Sequence, residues 1–178
     1  NGVDRNESVQ TSKLRLVIDR NGSGQTGVGI GEVEVYGTKL AQTDGDNVAL
    51  QATASADAQN TPVTNVNNGQ LATNAGTSWN TWNSSTYPTT VTLTWDTPYV
   101  LNSMRVMYWA DNGNLTASGN VTFPKSCEVE YFNHESGQWE KITNMTNESG
   151  AIVSSVGVKY GSAEAASDQP GSSPTRNH

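Results

Sequence analysis

Apolar residues recur at every second position in several short runs of this chain, with hydroxyls or charges between them. In Val91-Thr92-Leu93-Thr94-Trp95 the three apolar side chains fall on one face of an extended segment and the threonines on the other. Asp96-Thr97-Pro98 is expected to break that strand, because proline has no N–H to give to a ladder. The next run offers Met104, Val106 and Tyr108 to one side and Arg105, Met107 and Trp109 to the other. A third sets Cys127, Val129 and Tyr131 against Glu128 and Glu130. Alternating strands this close together, with turn residues between them, predict an all-β antiparallel sandwich.

The same period extends outward from this centre. Residues 1–12 are polar without clear pattern, whereas 13–19 form a strand with Leu14, Leu16 and Ile18 opposite Arg15 and Val17. Asn21-Gly22-Ser23-Gly24 is loop chemistry. In the next strand Val28 and Ile30 share one phase and Val33 and Val35 the other. A phase slip at a glycine predicts a β-bulge near Gly31, which would re-aim Glu32. Residues 41–46 form a polar connector, and 47–55 a weak strand of small residues. Residues 57–90 are long, polar and irregular, with a turn at Asn67-Asn68-Gly69 and three large aromatics, Trp79, Trp82 and Tyr87. Loops of that length generally carry function. Asp111-Asn112-Gly113-Asn114 follows Trp109 as another turn, and His134-Glu135-Ser136-Gly137 leads as a hairpin into Gln138-Trp139-Glu140-Lys141-Ile142. Residues 152–160 offer one more strand, and 161–178 a loop-like tail rich in Ser, Pro and Gly. No helix longer than two turns is predicted.

Composition narrows the classes. At 178 residues the chain suits one domain with a real core. Its 34% hydrophobic content is modest and its 15% charged content low, a polar but weakly charged surface that fits secreted all-β modules. The net charge of -7 argues against a nucleic-acid partner, which would need a concentrated basic footprint. No apolar run approaches the about 18 residues of a membrane helix, so no membrane span is expected. No signal peptide opens the chain, and the expected setting is a module of a longer secreted protein. The lone Cys127 reads as a small core residue.

From residue 47 onward the order of features resembles a known family. The 47–55 strand, Asn67-Asn68-Gly69, Ser78-Trp79-Asn80-Thr81-Trp82, the 91–98 strand, the 106–113 stretch, Pro124-Lys125-Ser126, Val129-Glu130-Tyr131 and Gln138-Trp139 are similar to discoidin-like, galactose-binding-like modules. These are the factor 5/8 C-type domains and family 32 carbohydrate-binding modules, above all those attached to bacterial glycoside hydrolases. The resemblance covers residues 47–160 and rests on the order of its features. Residues 13–37, ending Gly31-Glu32-Val33-Glu34-Val35-Tyr36-Gly37, resemble the last two strands of the same module, yet here they come first. Either two tandem modules each contribute half, or one jelly-roll is circularly permuted. An open half-sandwich would expose strand edges and a core face, costing more than the about 5–15 kcal/mol that stabilises a domain, so permutation is the expectation. Residues 1–40 would then supply the family's C-terminal strands, 41–46 the connector, 47–160 the remainder and 161–178 the tail.

The resemblance implies a non-catalytic module of a secreted or cell-surface bacterial enzyme. Its partners would be a carbohydrate, plant or host glycan, and the catalytic domain of the parent glycoside hydrolase. Sugar recognition needs aromatic faces with amides and carboxylates nearby. Trp79, Trp82, Tyr87, Trp109, Asp111, Asn112 and Asn114 supply those types; the competing structural reading, which weighs more for each aromatic, has Trp79 and Trp82 plugging the mouth of the sandwich and Trp109 packing under a loop. Trp95 and Trp139 read as core. The resemblance further implies one structural calcium ion, held by loop oxygens and a last-strand Glu that Glu32 matches. Asn67 stands where the family carries an Asp, which removes a charge. No catalytic constellation surrounds either histidine, so no enzyme is expected. A purely structural accessory domain without ligand, and an adhesion module for a glycan or host protein, are the alternatives.

Overall fold

The alternation seen in sequence becomes two long strands that run through both layers of a β-sandwich. The structure, a computed structural model, describes residues 2–20, 27–39, 46–111, 121–143, 145–147 and 152–153. Eleven strands are present among them: β1 (Gly2–Asp19), β2 (Gly27–Lys39), β3 (Asp46–Asn47), β4 (Thr53–Ala56), β5 (Trp79–Asn80), β6 (Thr89–Trp109), β7 (Val121–Thr122), β8 (Ser126–Asn133), β9 (Gln138–Lys141), β10 (Met145–Asn147) and β11 (Ile152–Val153). Three short 3-10 turns at Val48–Gln51, Val63–Val66 and Ala75–Thr77 are the helical elements among the described residues.

β1 and β6 lie antiparallel along nearly their whole length, from Ile18 opposite Thr89 to Gly2 opposite Arg105. Their register breaks between Asp4 and Val9 and again at the corner, where Lys13 faces Thr94 and Thr11 faces Tyr99. Ser12 alone therefore spans 95–98, and the extra residues let β6 bend from one layer to the other. Asp96-Thr97-Pro98 does not end the strand, as its pattern had suggested; it forms this corner inside β6. The first half of β6 also pairs with β4, and the second half of β1 with β8, which hairpins to β9. The second half of β6 pairs with β2, and the first half of β1 with β10. Apart from a short parallel contact between β2 and β7, every pairing is antiparallel.

The bulge expected in β2 is present. Ile30 faces Tyr108 and Glu32 faces Met107, leaving Gly31 as the additional residue. Residues 2–12 differ from expectation: they extend β1 despite a polar sequence, because β6 and β10 on either side satisfy their backbone groups. The 47–55 stretch is likewise not one strand but a bridge, a 3-10 turn and a four-residue strand.

One core runs between the layers. Leu14, Leu16 and Ile18 of β1 meet Val28, Ile30, Val33 and Val35 of β2, and Val91, Leu93, Trp95, Val106 and Tyr108 of β6. Strand-period patterning had grouped the β1 and β6 residues by face and set Val28 and Ile30 out of phase with Val33 and Val35, and the bulge at Gly31 brings both β2 pairs to the core. Cys127 joins them fully buried, and burial pushes its thiol up to about 12. Trp95 is core as expected, its indole N–H donating 2.8 Å to the Val48 carbonyl. Trp139 is not. Its partner Phe132 belongs to the outward phase of β8, so Trp139 is half-buried outside the sheet, beneath the Arg15 guanidinium at 4.2 Å. Among the described residues no helix is long and apolar enough to cross a membrane.

Candidate functional site

The long 57–90 segment is ordered by side chains that replace the ladder it lacks. Asp57 accepts from the Thr90 N–H at 2.9 Å and from the hydroxyls of Thr89 and Thr90. Partial burial raises its carboxyl pKa, but these donors outweigh that effect and hold it below the usual carboxylate range. Asn74 and Thr77 cap the 3-10 turn reciprocally. Asn80 is the hub. Its amide oxygen accepts from Asn60 Nδ2 at 3.1 Å and the Trp82 N–H at 3.3 Å, and its Nδ2 donates to the Ala75 carbonyl at 3.0 Å. Its backbone N–H donates to Thr61 Oγ1.

These bonds set one tryptophan inside and one outside. Trp79 is fully buried, its Nε1 donating to the Ala58 carbonyl at 3.2 Å. Three residues later Trp82 is 44% exposed. Thr81 ties the base of Trp82 to β2: its N–H donates to the Val28 carbonyl at 3.0 Å, and its hydroxyl accepts from the Val28 N–H. Gly27 makes that approach possible, since a Cβ there would stand 2.8 Å from the Trp82 nitrogen.

Beside Trp82 opens a groove of about 360 Å³, lined by Asn60, Thr61, Ala75, Gly76, Asn80, Asp111 and Val121. Asp111 accepts the Val121 N–H at 2.9 Å through one carboxylate oxygen. The groove thus combines one indole, one carboxylate, two amides and a hydroxyl around an opening large enough for a sugar ring.

Of the residues singled out from sequence, Trp82 and Asp111 meet in this groove. Trp79 does not reach it, because its ring packs in the core. Tyr87 packs against the core, with its hydroxyl 2.7 Å from Thr81 Oγ1 and Arg20 over its ring at 4.6 Å. Trp109 is half-buried on the outer phase of β6 and does not line the groove; its indole N–H is buried without a partner among the described residues. Asn112 and Asn114 lie outside the described residues. Asn60, Thr61 and Asn80 were missed by sequence reasoning. For Asn80 the signal was the Ser78-Trp79-Asn80-Thr81-Trp82 string, which does not tell a ligand amide from a scaffold amide; Asn60 and Thr61 stand in no motif.

The other predicted constellation also assembles. The Gly31 bulge aims Glu32, only 2% exposed, at the turn of residues 67–70. Glu32 Oε1 accepts the Gly69 N–H at 3.1 Å, and the N–H groups of Asn68 and Gln70 face the same carboxyl. Oε2 is buried without a partner among the described residues. Burial drives this carboxyl up to about 8 against the lowering pull of those N–H groups. Gly69 takes φ +79°, which a side chain would resist. Asn67 turns its Nδ2 to the carbonyls of Ala49 and Ala52, at 2.8 and 2.9 Å. Glu32 Oε1 therefore faces N–H donors, and the Ala49 and Ala52 carbonyls already hold an amide. That does not fit a hard cation, which asks for oxygens turned inward.

The fold and this groove define an all-β sandwich with a loop-end recess. Comparison with known proteins adds no narrower class: no family model, curated protein or solved structure matches the chain.

Proposed function

We propose that the protein is a non-catalytic carbohydrate-binding module, taking a glycan at the groove beside Trp82. The exposed Trp82 ring and the Asp111 carboxylate lining one groove are the observation that carries this reading. Trp82 would stack on the apolar face of a pyranose or furanose, while Asp111 and Asn60 bond ring hydroxyls and Asn80 holds the frame. A single indole limits the affinity. About 0.3 kcal/mol per heavy atom over a dozen sugar atoms gives about 3.5 kcal/mol, a millimolar Kd. Such a module works by tethering: a secreted or cell-surface bacterial glycoside hydrolase linked to it would gain residence on plant or host glycan through effective concentration. The permuted order of a galactose-binding-like jelly-roll belongs to the same reading. It is supported by β1 and β2 pairing with β6 rather than standing apart.

Calorimetric titration to tens of millimolar ligand, across plant and host oligosaccharides, tests it. Binding by the parent protein that disappears in Trp82→Ala and weakens in Asp111→Asn, with circular dichroism unchanged, is the expected result. Folded protein that binds no glycan at those concentrations overturns it. That outcome favours the structural accessory domain, for which the internal engagement of Trp79 and Tyr87 speaks.

A further inference from the structure

The turn of residues 67–70 stands where the resemblance to galactose-binding-like modules implies calcium, and its donors and acceptors are arranged the other way round. Two backbone carbonyls, Ala49 and Ala52, converge on one point, as the oxygens of a cation site would. The group at that point is the side-chain NH2 of Asn67. Both partners can only accept, so the amide nitrogen must face them. Glu32 meets backbone N–H groups of the same turn. Asn67 Nδ2 therefore satisfies the two carbonyl oxygens that would otherwise call for positive charge, and the Gly69 N–H meets one oxygen of Glu32, Oε1.

We propose that the Asn67 side-chain amide replaces a structural cation, locking the 67–70 turn to the Val48–Gln51 3-10 turn and making the fold independent of metal. The lock joins segments far apart in sequence: Asn67 reaches back to the 3-10 turn, and Glu32 reaches across from β2. An aspartate at position 67 would put a carboxylate against the two carbonyls. A cation bridging all three oxygens would relieve that repulsion.

The test uses the full chain in two arms. The parent protein, purified in calcium and then assayed for metal content, is melted in millimolar calcium and in excess chelator. We expect no stoichiometric calcium and a Tm that agrees between the two buffers within a degree. Retained calcium, or a Tm that drops on chelation, overturns the proposal. In the second arm Asn67→Asp is expected to lose several degrees in chelator and to recover most of them in calcium. A folded Asn67→Asp whose Tm ignores calcium overturns the cation equivalence. If that variant does not fold in either buffer, Asn67→Ala decides. A Tm lowered equally with and without calcium supports the amide lock, and a Tm equal to the parent's overturns it.

Discussion

The body of the sandwich and the loop layer of residues 57–90 are stabilised by different chemistry. In the body, β1, β2 and β6 bury alternate aliphatic side chains and satisfy their backbones in ladders. In the loop layer, Asp57, Asn67, Asn74 and Asn80 hold the backbone through side-chain bonds. Trp79 and Trp82 make the contrast local. One belongs to the body's core, the other to the groove rim. In a polar loop, then, abundance of Asn, Thr and Asp does not identify a binding site. Most of these side chains are consumed as scaffold, and ligand chemistry falls to the few that reach the groove.

Removing residues 1–40 should have the largest effect. β1 and β2 carry seven of the core aliphatics named above and the partners of both halves of β6. The remaining chain should lose its cooperative melting transition by calorimetry; a sharp transition in a 41–178 fragment would show that the body does not need them. Next comes the tryptophan pair. Trp79→Ala empties a fully buried site and should cost about 3–5 kcal/mol in denaturant unfolding, whereas Trp82→Ala should stay within about 0.5 kcal/mol. Equal costs would erase the distinction between body and rim.

Within the loop layer, Asp57→Ala strips partners from the buried Thr89 hydroxyl and the Thr90 N–H, and should cost about 1–2 kcal/mol. Because this carboxyl is held below its ordinary value, its contribution is present above about pH 4 and lost as pH falls further. Glu32 has the opposite sign. Its folded value of about 8 lies above the ordinary 4.5, raised by burial and, more weakly, by the charge of Glu34. Its contribution is therefore full below pH 4.5 and is lost as pH rises through about 8. The Tm should decline gently across that window and level off above it. Glu32→Gln should flatten the decline, and a slope unchanged in that variant would mean that another group titrates.

Much of the body was readable from residue pattern, because a period of two dictates which face of a strand is apolar whatever its partner. The inner phases of β6 and β8, the β8–β9 hairpin and the Gly31 bulge all followed from it. The polar start of β1 was not readable, since only the neighbouring β6 and β10 make an extended backbone favourable there. Trp139 was misread for a related reason: a strand's period gives two faces but does not say which is outside until a partner residue, here Phe132, sets the phase.

For the candidate site the division is sharper. Sequence by itself determined the residue types available, aromatic, amide and carboxylate, and the strand ends that carry them. Only tertiary structure decided that Trp82 and Asp111 share a groove while Trp79 and Tyr87 turn inward. It also decided that Asn67 faces carbonyls and Glu32 faces amides. The physical reason is that hydrogen-bond roles are assigned by whichever backbone groups a fold leaves unpaired. Those groups come from segments tens of residues apart, so no local window of the chain contains them.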